Sequence, residues 1–299
     1  MSLFHKLIVL TMPLVPKFIV GRVASRYVAG EGIEDALREI ARLNAEGAMA
    51  TMDLLGEEVY DPAKAETNVR EYQRMLKEIA ERKLDANISI KPTALGLKIN
   101  RELFESNLDQ IATSAAEHGN FVRIDMEDHT TIDDTLAVFR SLRKKHDNLG
   151  VVFQAYMRRT LADIEALPAE GANIRLCKGI YIEPRAVAWK GFETVQRAFL
   201  AALEKAFRQG VYVGIATHDE YLCCAAVHLI DRLGIPRDRY EFQMLLGVEP
   251  LLRRILIEGG HRLRVYVPYG KDWYPYSTRR LRENPEVAGH IIRAFFSRS

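Results

Sequence analysis

Charged and amide side chains stand at the ends of short apolar runs along this chain. Lys91 follows Ile88-Ser89-Ile90, Asp125 closes a run that begins at residue 121, and Gln154 ends another. Burying such a group in apolar surroundings is unfavourable unless it is paired. Taken together, these residues predict one functional surface. Its other members are Asp53, Glu57, Glu127, Arg175, Lys178, Thr217, His218, Gln243 and Tyr266.

Two segments are densest in groups that bind anions. In the segment 175–179, which reads RLCKG, two cations stand beside a glycine that would let a flat ring or a phosphate approach the backbone. Near the C-terminus, three- and four-residue spacing makes helix neighbours of Tyr276, Arg279, Arg280 and Glu283. Adjacent arginines can form a fork for a carboxylate. The alternative interpretation of the segment 175–179 is an ordinary strand end with exposed charges. The alternative for the C-terminal residues is a basic helix face with one Glu–Arg pair.

The order of the predicted elements indicates how these residues come together. Short runs rich in β-branched residues alternate with longer amphipathic stretches, the longest of which covers residues 186–207. Eight strand–helix units in series predict an α/β fold, a parallel (β/α)8 TIM-like barrel whose strand ends share one rim. An open doubly wound sheet is less favoured, because no strand is followed by G-x-G-x-x-G. The predicted strands cover residues 48–54, 86–91, 121–127, 150–154, 173–178, 211–217, 240–245 and 263–267.

The same pattern gives expectations for the strands and the chain ends. Strands of such a barrel are expected to be continuously apolar, and helices are expected to start near Asp133 and Asp219. The barrel is expected to span residues 33–299, with a C-terminal helix over its rim, after a short helical arm over residues 1–32. Polar residues and prolines interrupt the apolar stretch 3–20, which argues against a membrane span. The arm is expected to pack on the domain or to contact a membrane peripherally.

Composition narrows the class of protein. The 299 residues carry 42 basic and 40 acidic side chains, a net charge of +2, so no general affinity for nucleic acid is expected. The three cysteines, Cys177, Cys223 and Cys224, give neither a disulfide framework nor the spacing of metal ligands. The simpler interpretation is a reducing, cytoplasmic location without a metal.

Eight short motifs follow one another along the chain. They are DLLGE at 53–57, ISIK at 88–91, IDME at 124–127, QAY at 154–156, RLCKG at 175–179, ATH at 216–218, EFQML at 241–245 and YxxRRxxE at 276–283. In these motifs the chain resembles the proline dehydrogenase family, from about residue 30 to the C-terminus, with the length of the monofunctional bacterial members. The resemblance implies an FAD-dependent enzyme that oxidises L-proline to 1-pyrroline-5-carboxylate by hydride transfer to the flavin. It also implies a quinone as the next electron acceptor and pyrroline-5-carboxylate dehydrogenase as the pathway partner.

The resemblance implies roles on the substrate side. Arg279 and Arg280 would hold the proline carboxylate, with Lys91 assisting. Glu57 would act as a gate that pairs with Arg279 when substrate is absent. The residues expected to wall the pyrrolidine ring are Tyr181, Tyr266, Tyr276, Leu176 and Leu245.

It also implies roles on the cofactor side. Arg175 would lie near the reactive nitrogen of the flavin, with Gln154 beside the ring. Asp125 would support the site through hydrogen bonds, so Arg175, Asp125 and Tyr266 form the expected catalytic group. The remaining expected contacts are Lys178 and Gly179 to the ribityl or phosphate portion, Thr217 and His218 to the pyrophosphate and adenosine, Glu283 to the ribose, and Gln243.

One position departs from the family pattern, and two other functions stay open. Ile180 stands where the family commonly has alanine, so we expect a narrower pocket. The chain could instead be a Schiff-base aldolase with Lys91 or Lys178 as the nucleophile. It could also be a non-catalytic module that binds an anionic metabolite at Arg279 and Arg280. Bound flavin would distinguish the first reading from both alternatives.

Overall fold

Eight parallel strands close into a barrel in the computed structural model of the protein, which describes residues 26–167, residues 171–274 and Tyr276. Each strand pairs with the next along the chain, and the last pairs with the first. The predicted closed α/β barrel is therefore confirmed. The strands are β1 (Met49–Leu54), β2 (Ala86–Ile90), β3 (Val122–Ile124), β4 (Leu149–Gln154), β5 (Asn173–Cys177), β6 (Tyr212–Ala216), β7 (Tyr240–Leu245) and β8 (Leu263–Tyr269).

Helices surround the barrel, and their first residues follow from local capping. The predicted start at Asp219 is confirmed, because the Asp219 side chain accepts from the backbone N–H of Leu222 at 3.4 Å. The start expected near Asp133 is also confirmed: the helix begins at Ile132 after the N-cap Thr131, and Asp133 lies in its first turn. The described residues contain α1 (Ile33–Ala45), α2 (Pro62–Glu81), α3 (Arg101–Glu117), α4 (Ile132–Leu142), α5 (Thr160–Glu165), α6 (Phe192–Arg208), α7 (Glu220–Leu233) and α8 (Pro250–Glu258).

The helix predicted over residues 186–207 is shorter than expected. α6 begins only at Phe192, after the N-cap Gly191, whose backbone is extended. The stretch between β5 and α6 is therefore a long loop at the rim. α2, with 20 residues, is longer than α6, with 17.

Polar side chains line much of the barrel interior. Successive side chains of a strand face opposite sides of the sheet, and partners in parallel register share a side. Arg175, Gly214 and Glu241 are such partners on three adjacent strands. The fully buried Leu176 and Phe242 alternate with them and belong to the apolar core. The expectation of continuously apolar strands is therefore corrected.

The segment before α1 runs across the rim. Ala29 donates its backbone N–H to the carbonyl oxygen of Pro268 at 2.9 Å. Tyr27 packs with Leu55 and Tyr276 in a small apolar cluster separate from the main core. This cluster, just beyond β1, therefore brings the beginning and the end of the described part of the chain into contact.

The division into an arm (1–32) and a barrel (33–299) stays a prediction. Residues 1–25 of the arm and residues 277–299, which include the predicted C-terminal helix, lie outside the described residues. Among the helices of the described residues, none is long and apolar enough to cross a membrane.

Candidate active site

A buried arginine and its carboxylate partner join four strands at the rim end of the interior. Arg175 Nη1 donates to Asp125 Oδ1 at 2.6 Å, and only 8% of the Arg175 side chain is exposed. Tyr266 OH donates to the second carboxylate oxygen, Oδ2, at 3.0 Å. Ser89 Oγ donates to Oδ1 at 2.6 Å. The structure thus brings Arg175, Asp125 and Tyr266, the predicted catalytic group, into direct contact.

Lys91 forms a second buried ion pair beside this group. Its Nζ donates to Asp53 Oδ1 at 2.5 Å and to Tyr266 OH at 3.4 Å. Burial raises the pKa of Asp53, because Lys91 offsets only part of the desolvation. Burial alone would lower the pKa of Lys91, but the carboxylates of Asp53 and Asp125 outweigh it and raise that pKa. Lys91 therefore stays protonated, as a group that assists in holding a carboxylate must.

Tyr266 and Leu245, both predicted to wall the substrate, lie on neighbouring strands at the rim. They are register partners on β8 and β7, so they share the interior face, and both are partly exposed. The Arg175 guanidinium lies 5.3 Å from the centre of the Tyr266 ring. Burial, with Asp125 and Asp53 nearby, raises the pKa of Tyr266 well above its ordinary value, so its hydroxyl remains a donor.

The other predicted wall residues are placed differently. Tyr276 is buried in the small cluster with Leu55. Tyr181 and Ile180 are half-buried in the β5–α6 loop. Leu176 is fully buried in the main core and alternates with Arg175 along β5. The structure therefore assigns Leu176 to packing rather than to the substrate wall predicted above.

The ends of β5 and β6 carry the predicted contacts to the cofactor tail. Lys178 Nζ lies 3.3 Å from Asp219 Oδ2, and one third of its side chain is exposed. Thr217 Oγ1 accepts from the backbone N–H of Asp219 at 3.1 Å. His218 Nε2 accepts from the backbone N–H of Leu245 at 2.8 Å, which places the proton of the neutral ring on Nδ1. These contacts fix the rim loops around the Lys178 ammonium.

Gln154, at the end of β4, is bound to the backbone of Glu127, whose carboxyl group is buried. Gln154 Nε2 donates to the backbone oxygen of Glu127 at 2.8 Å. The Glu127 carboxylate accepts from the backbone N–H of Thr93 at 2.8 Å and from its hydroxyl at 2.7 Å. Thr93 Oγ1 in turn accepts from the backbone N–H of Glu58, next to the exposed Glu57, at 2.9 Å. Glu127 and Thr93 thereby hold the loop that carries the predicted gate.

The donor set at the ends of β4 and β5 fits a flavin. Gln154 offers an amide, Arg175 a buried cation, and Lys178 a partly exposed ammonium. These are groups that hydrogen-bond a polar ring edge and balance a phosphate charge. Gly179 has φ +108°, and a Cβ there would stand 2.2 Å from the Tyr156 ring, so local packing already requires this glycine. The predicted residues Arg279, Arg280 and Glu283 lie outside the described residues.

Comparison with known proteins places this geometry in a family. The sequence pattern described as "Proline dehydrogenase" matches residues 36–293. The chain belongs to the proline dehydrogenase family. It is 36% identical to proline dehydrogenase 1 of Bacillus subtilis subsp. natto over 275 residues, which cover 92% of this chain and 91% of that one. It is 35% identical to proline dehydrogenase of Deinococcus radiodurans over 276 residues, with 91% and 89% covered.

Solved structures support the fold of this proline dehydrogenase family member. Proline utilization A from Bdellovibrio bacteriovorus, 23% identical, superimposes with a TM-score of 0.81 over 87% of this chain and 32% of that chain. Proline utilization A from Corynebacterium freiburgense, 22% identical, gives a TM-score of 0.77 over 92% and 32%. The chain thus spans about a third of the length of these proteins. At this level of sequence identity, the similarity supports the barrel fold alone.

Family membership bears on the sequence-based predictions. The match covers about nine tenths of the length of these bacterial proline dehydrogenases, which agrees with the predicted resemblance to the monofunctional bacterial members. The chain is an oxidoreductase of the proline dehydrogenase family, and membership implies a flavin cofactor. The roles of the individual site residues stay predictions.

Replacing Glu127 by glutamine is expected to flatten the pH dependence of stability near neutral pH. Burial raises the pKa of Glu127 from 4.5 to about 7 against the opposing hydrogen bonds of Thr93. The folded state therefore binds an extra proton, and the stability that this site contributes is present below about pH 4.5 and lost as the pH rises through about 7. Glu127→Gln has no titrating group here. As the pH rises between those limits, the free energy of unfolding of this variant should increase by roughly 3 kcal/mol relative to wild type, since a change of one in pKa corresponds to about 1.4 kcal/mol.

Chemical denaturation of the flavin-loaded proteins at about pH 5 and about pH 8 measures this difference. Glu66→Gln, on the exposed face of α2, is the matched control for replacing a carboxylate by an amide. A constant difference between Glu127→Gln and wild type across this range would contradict the expected titration.

Sequence reasoning missed several members of the interior network. Asp53 was noted at a strand end but given no role, and Ser89, Glu241 and Arg264 were not singled out. A usable signal was present: polar residues recur at every second position within strands. It appears as Thr51-x-Asp53, Asn87-x-Ser89-x-Lys91, Arg123-x-Asp125-x-Glu127, Asn173-x-Arg175, Glu241-x-Gln243 and Arg264-x-Tyr266.

Proposed function

We propose that the protein oxidises L-proline to 1-pyrroline-5-carboxylate with FAD as the first electron acceptor. The observation that carries the proposal is a contact network of Lys91, Tyr266, Asp125 and Arg175 at the barrel rim of a proline dehydrogenase family member. In the reaction a hydride leaves the ring carbon next to nitrogen, and a proton leaves the nitrogen as the C=N bond forms. The flavin, when bound, supplies the acceptor for that hydride.

The residues of the chain bind and orient the substrate. Arg279, Arg280 and the protonated Lys91 hold the carboxylate, which fixes the ring by a group remote from the bond that breaks. Tyr266 and Leu245 contact the ring and exclude water from it. Arg175, fixed by Asp125, supplies a positive charge that needs no reorganisation during the reaction. The residues that would hold the cofactor are Gln154, Arg175, Lys178, Gly179, Thr217, His218, Gln243 and Glu283.

The state of Lys91 argues against the aldolase alternative. A Schiff-base lysine must be unprotonated to attack a carbonyl, which usually requires a lowered pKa. The pKa of Lys91 is raised instead, because the attraction of Asp53 and Asp125 outweighs the effect of burial. Lys178 is paired with Asp219. Neither lysine has the environment of an amine nucleophile.

We infer that the electrons pass on from the flavin to a quinone. That acceptor resides in membranes, so a cytoplasmic protein would touch the membrane surface peripherally. The apolar residues of the stretch 3–20 could make this contact, although they lie outside the described residues. The product would pass to a pyrroline-5-carboxylate dehydrogenase.

Two assays on the purified protein test this function. Denaturation should release FAD, identified by chromatography against FMN, in about equal molar amount to the chain. The native protein should reduce an artificial electron acceptor only when L-proline is present and should form 1-pyrroline-5-carboxylate. A colourless protein that takes up no added FAD would show the proposal to be wrong. Binding of proline without turnover would support the metabolite-binding alternative.

Single replacement of Arg279 or Arg280 by methionine tests the carboxylate clamp. Methionine keeps bulk but removes the charged donors, so the affinity for proline should fall by about 1.5–3 kcal/mol. Flavin content should be unchanged. Arg254→Met, at an exposed position of α8, removes one positive charge elsewhere and serves as the control. Wild-type proline affinity in both clamp variants, measured by titration with a non-oxidised proline analogue, would remove these arginines from the site.

A further inference from the structure

A third buried ion pair lies below the predicted catalytic group. Arg264 Nε on β8 donates to Glu241 Oε1 on β7 at 2.7 Å, and Tyr212 OH on β6 donates to Oε2 at 2.9 Å. Burial disfavours the ionised carboxylate, but Arg264 and the hydrogen bonds outweigh it and hold the pKa of Glu241 at about 2. Glu241 is therefore an acceptor throughout the physiological pH range.

Gln243 connects this lower pair to Arg175. Its Nε2 donates to Glu241 Oε1 at 2.6 Å, and its Oε1 accepts from Arg175 Nε at 2.5 Å. An ionised carboxylate only accepts hydrogen bonds, and a guanidinium only donates them. The Gln243 amide therefore satisfies both neighbours in a single orientation. Glu241 selects that orientation from below.

Gly214 provides the space in which this amide lies. Parallel register places Gly214 between Arg175 on β5 and Glu241 on β7. A Cβ at this position would stand 2.4 Å from Gln243 Nε2. A side chain here would therefore displace the amide. Gly214 and the Glu241 carboxylate therefore both determine where the Gln243 amide lies.

We propose that Glu241 is a positioning residue for the oxidation, which acts through Gln243 to hold the Arg175 guanidinium in place. The inference rests on the proposed function. If the amide turned over, its NH2 group would face Arg175 Nε–H, donor against donor, and the guanidinium would move relative to Asp125. A carboxylate that touches neither substrate nor cofactor thus sets the orientation of the cation that the reaction uses.

Glu241→Gln tests the proposal, because it keeps the size of the side chain but removes the fixed acceptor. Both orientations of the Gln243 amide then become possible. In the flavin-loaded protein, bleaching of the flavin by L-proline should slow about tenfold, the effect of one lost hydrogen bond of about 1.4 kcal/mol. The midpoint potential of the bound flavin should become more negative, because a displaced guanidinium favours electron uptake less. This second measurement does not depend on turnover.

A double variant and a matched control separate positioning from general stability. Glu241→Gln/Gln243→Glu presents a carboxylate oxygen to Arg175 Nε in place of the amide oxygen of Gln243, and that oxygen accepts in either orientation. The guanidinium is therefore held again, and the rate should recover. Tyr212→Phe removes a hydrogen bond from the same carboxylate at its other oxygen. It should lower the melting temperature but leave rate and potential unchanged. An equal fall of the rate in Tyr212→Phe would assign the effect to loosening of the barrel and overturn the proposal.

Wild-type rate and potential in Glu241→Gln would also overturn it. If that variant does not fold or load flavin, Gly214→Ala decides, because it displaces the Gln243 amide while the Glu241–Arg264 pair stays intact. It should show the same slower bleaching, and a wild-type rate would exclude the positioning role. If L-proline does not bleach the flavin of the wild-type protein, the proposed function is wrong instead. The two failures are therefore distinguishable.

Discussion

Replacing Asp125 by asparagine is expected to slow proline-dependent flavin reduction by about 10- to 100-fold. Asp125 receives hydrogen bonds from Arg175, Ser89 and Tyr266. Hydrogen bonds to charged groups contribute about 1.5–3 kcal/mol, and each 1.4 kcal/mol changes a rate tenfold. Asparagine keeps the shape of the side chain but presents a donor on one side. It therefore cannot satisfy all three partners or balance the charge of Arg175.

The same substitution is expected to lower stability, because it leaves Arg175 buried without its counterion. Breaking a buried pair from one side typically reduces the free energy of unfolding by about 3–5 kcal/mol. Asp133→Asn is the control, since that carboxylate is 83% exposed and pairs with Arg159 at the surface. Stopped-flow bleaching and thermal unfolding measure the two effects. Wild-type rates in Asp125→Asn would exclude the network from the reaction, whatever its effect on stability.

Replacing Lys91 by methionine is expected to reduce the free energy of unfolding by about 3–5 kcal/mol and to weaken proline binding. The Asp53 side chain is completely buried, and its Oδ2 has no hydrogen-bond partner among the described residues. Without Lys91 the largest effect that opposes desolvation is lost, and desolvation already raises the pKa of Asp53. The carboxyl group should therefore take up a proton near neutral pH. The stability that it contributes would then be lost as the pH rises through the new, higher pKa.

The double variant Lys91→Met/Asp53→Asn separates the two roles of Lys91. Removing both partners leaves no uncompensated charge, so most of the lost stability should return. Proline affinity should remain low, because the cation that assists in holding the carboxylate is still absent. Equal stability of the single and double variants would contradict the ion-pair account. Wild-type proline affinity in the double variant would remove Lys91 from the substrate site.

The sequence was sufficient to predict the barrel, because its alternation of strands and helices is a local signal. The eight predicted strands occur within a few residues of their predicted positions. The helix start expected at residue 186 was wrong, because apolar spacing alone does not reveal the extended Gly191 that delays α6 to Phe192. Polar residues within or just after strands, such as Arg175 and Asp125, were also identified, since their position beside apolar residues is visible without coordinates.

The depth of the polar network could not be predicted in the same way. Contacts such as Arg175 to Gln243 join residues on non-adjacent strands, and they depend on how the closed barrel orients long side chains across its interior. The alternation of polar residues within strands was a signal, but an expectation of continuously apolar strands concealed it. Leu176 was placed in the substrate wall by family resemblance, whereas alternation with Arg175 puts it in the core.

The most direct test of the central claim is anaerobic mixing of the purified, flavin-loaded protein with L-proline in the absence of any other electron acceptor. The account predicts that the visible absorption of the oxidised flavin disappears in a single turnover, with one 1-pyrroline-5-carboxylate formed for each flavin bleached. Pyrrolidine, which lacks the carboxylate that Lys91, Arg279 and Arg280 are proposed to hold, should bleach the flavin far more slowly. A bound flavin that stays oxidised in saturating L-proline would contradict the account.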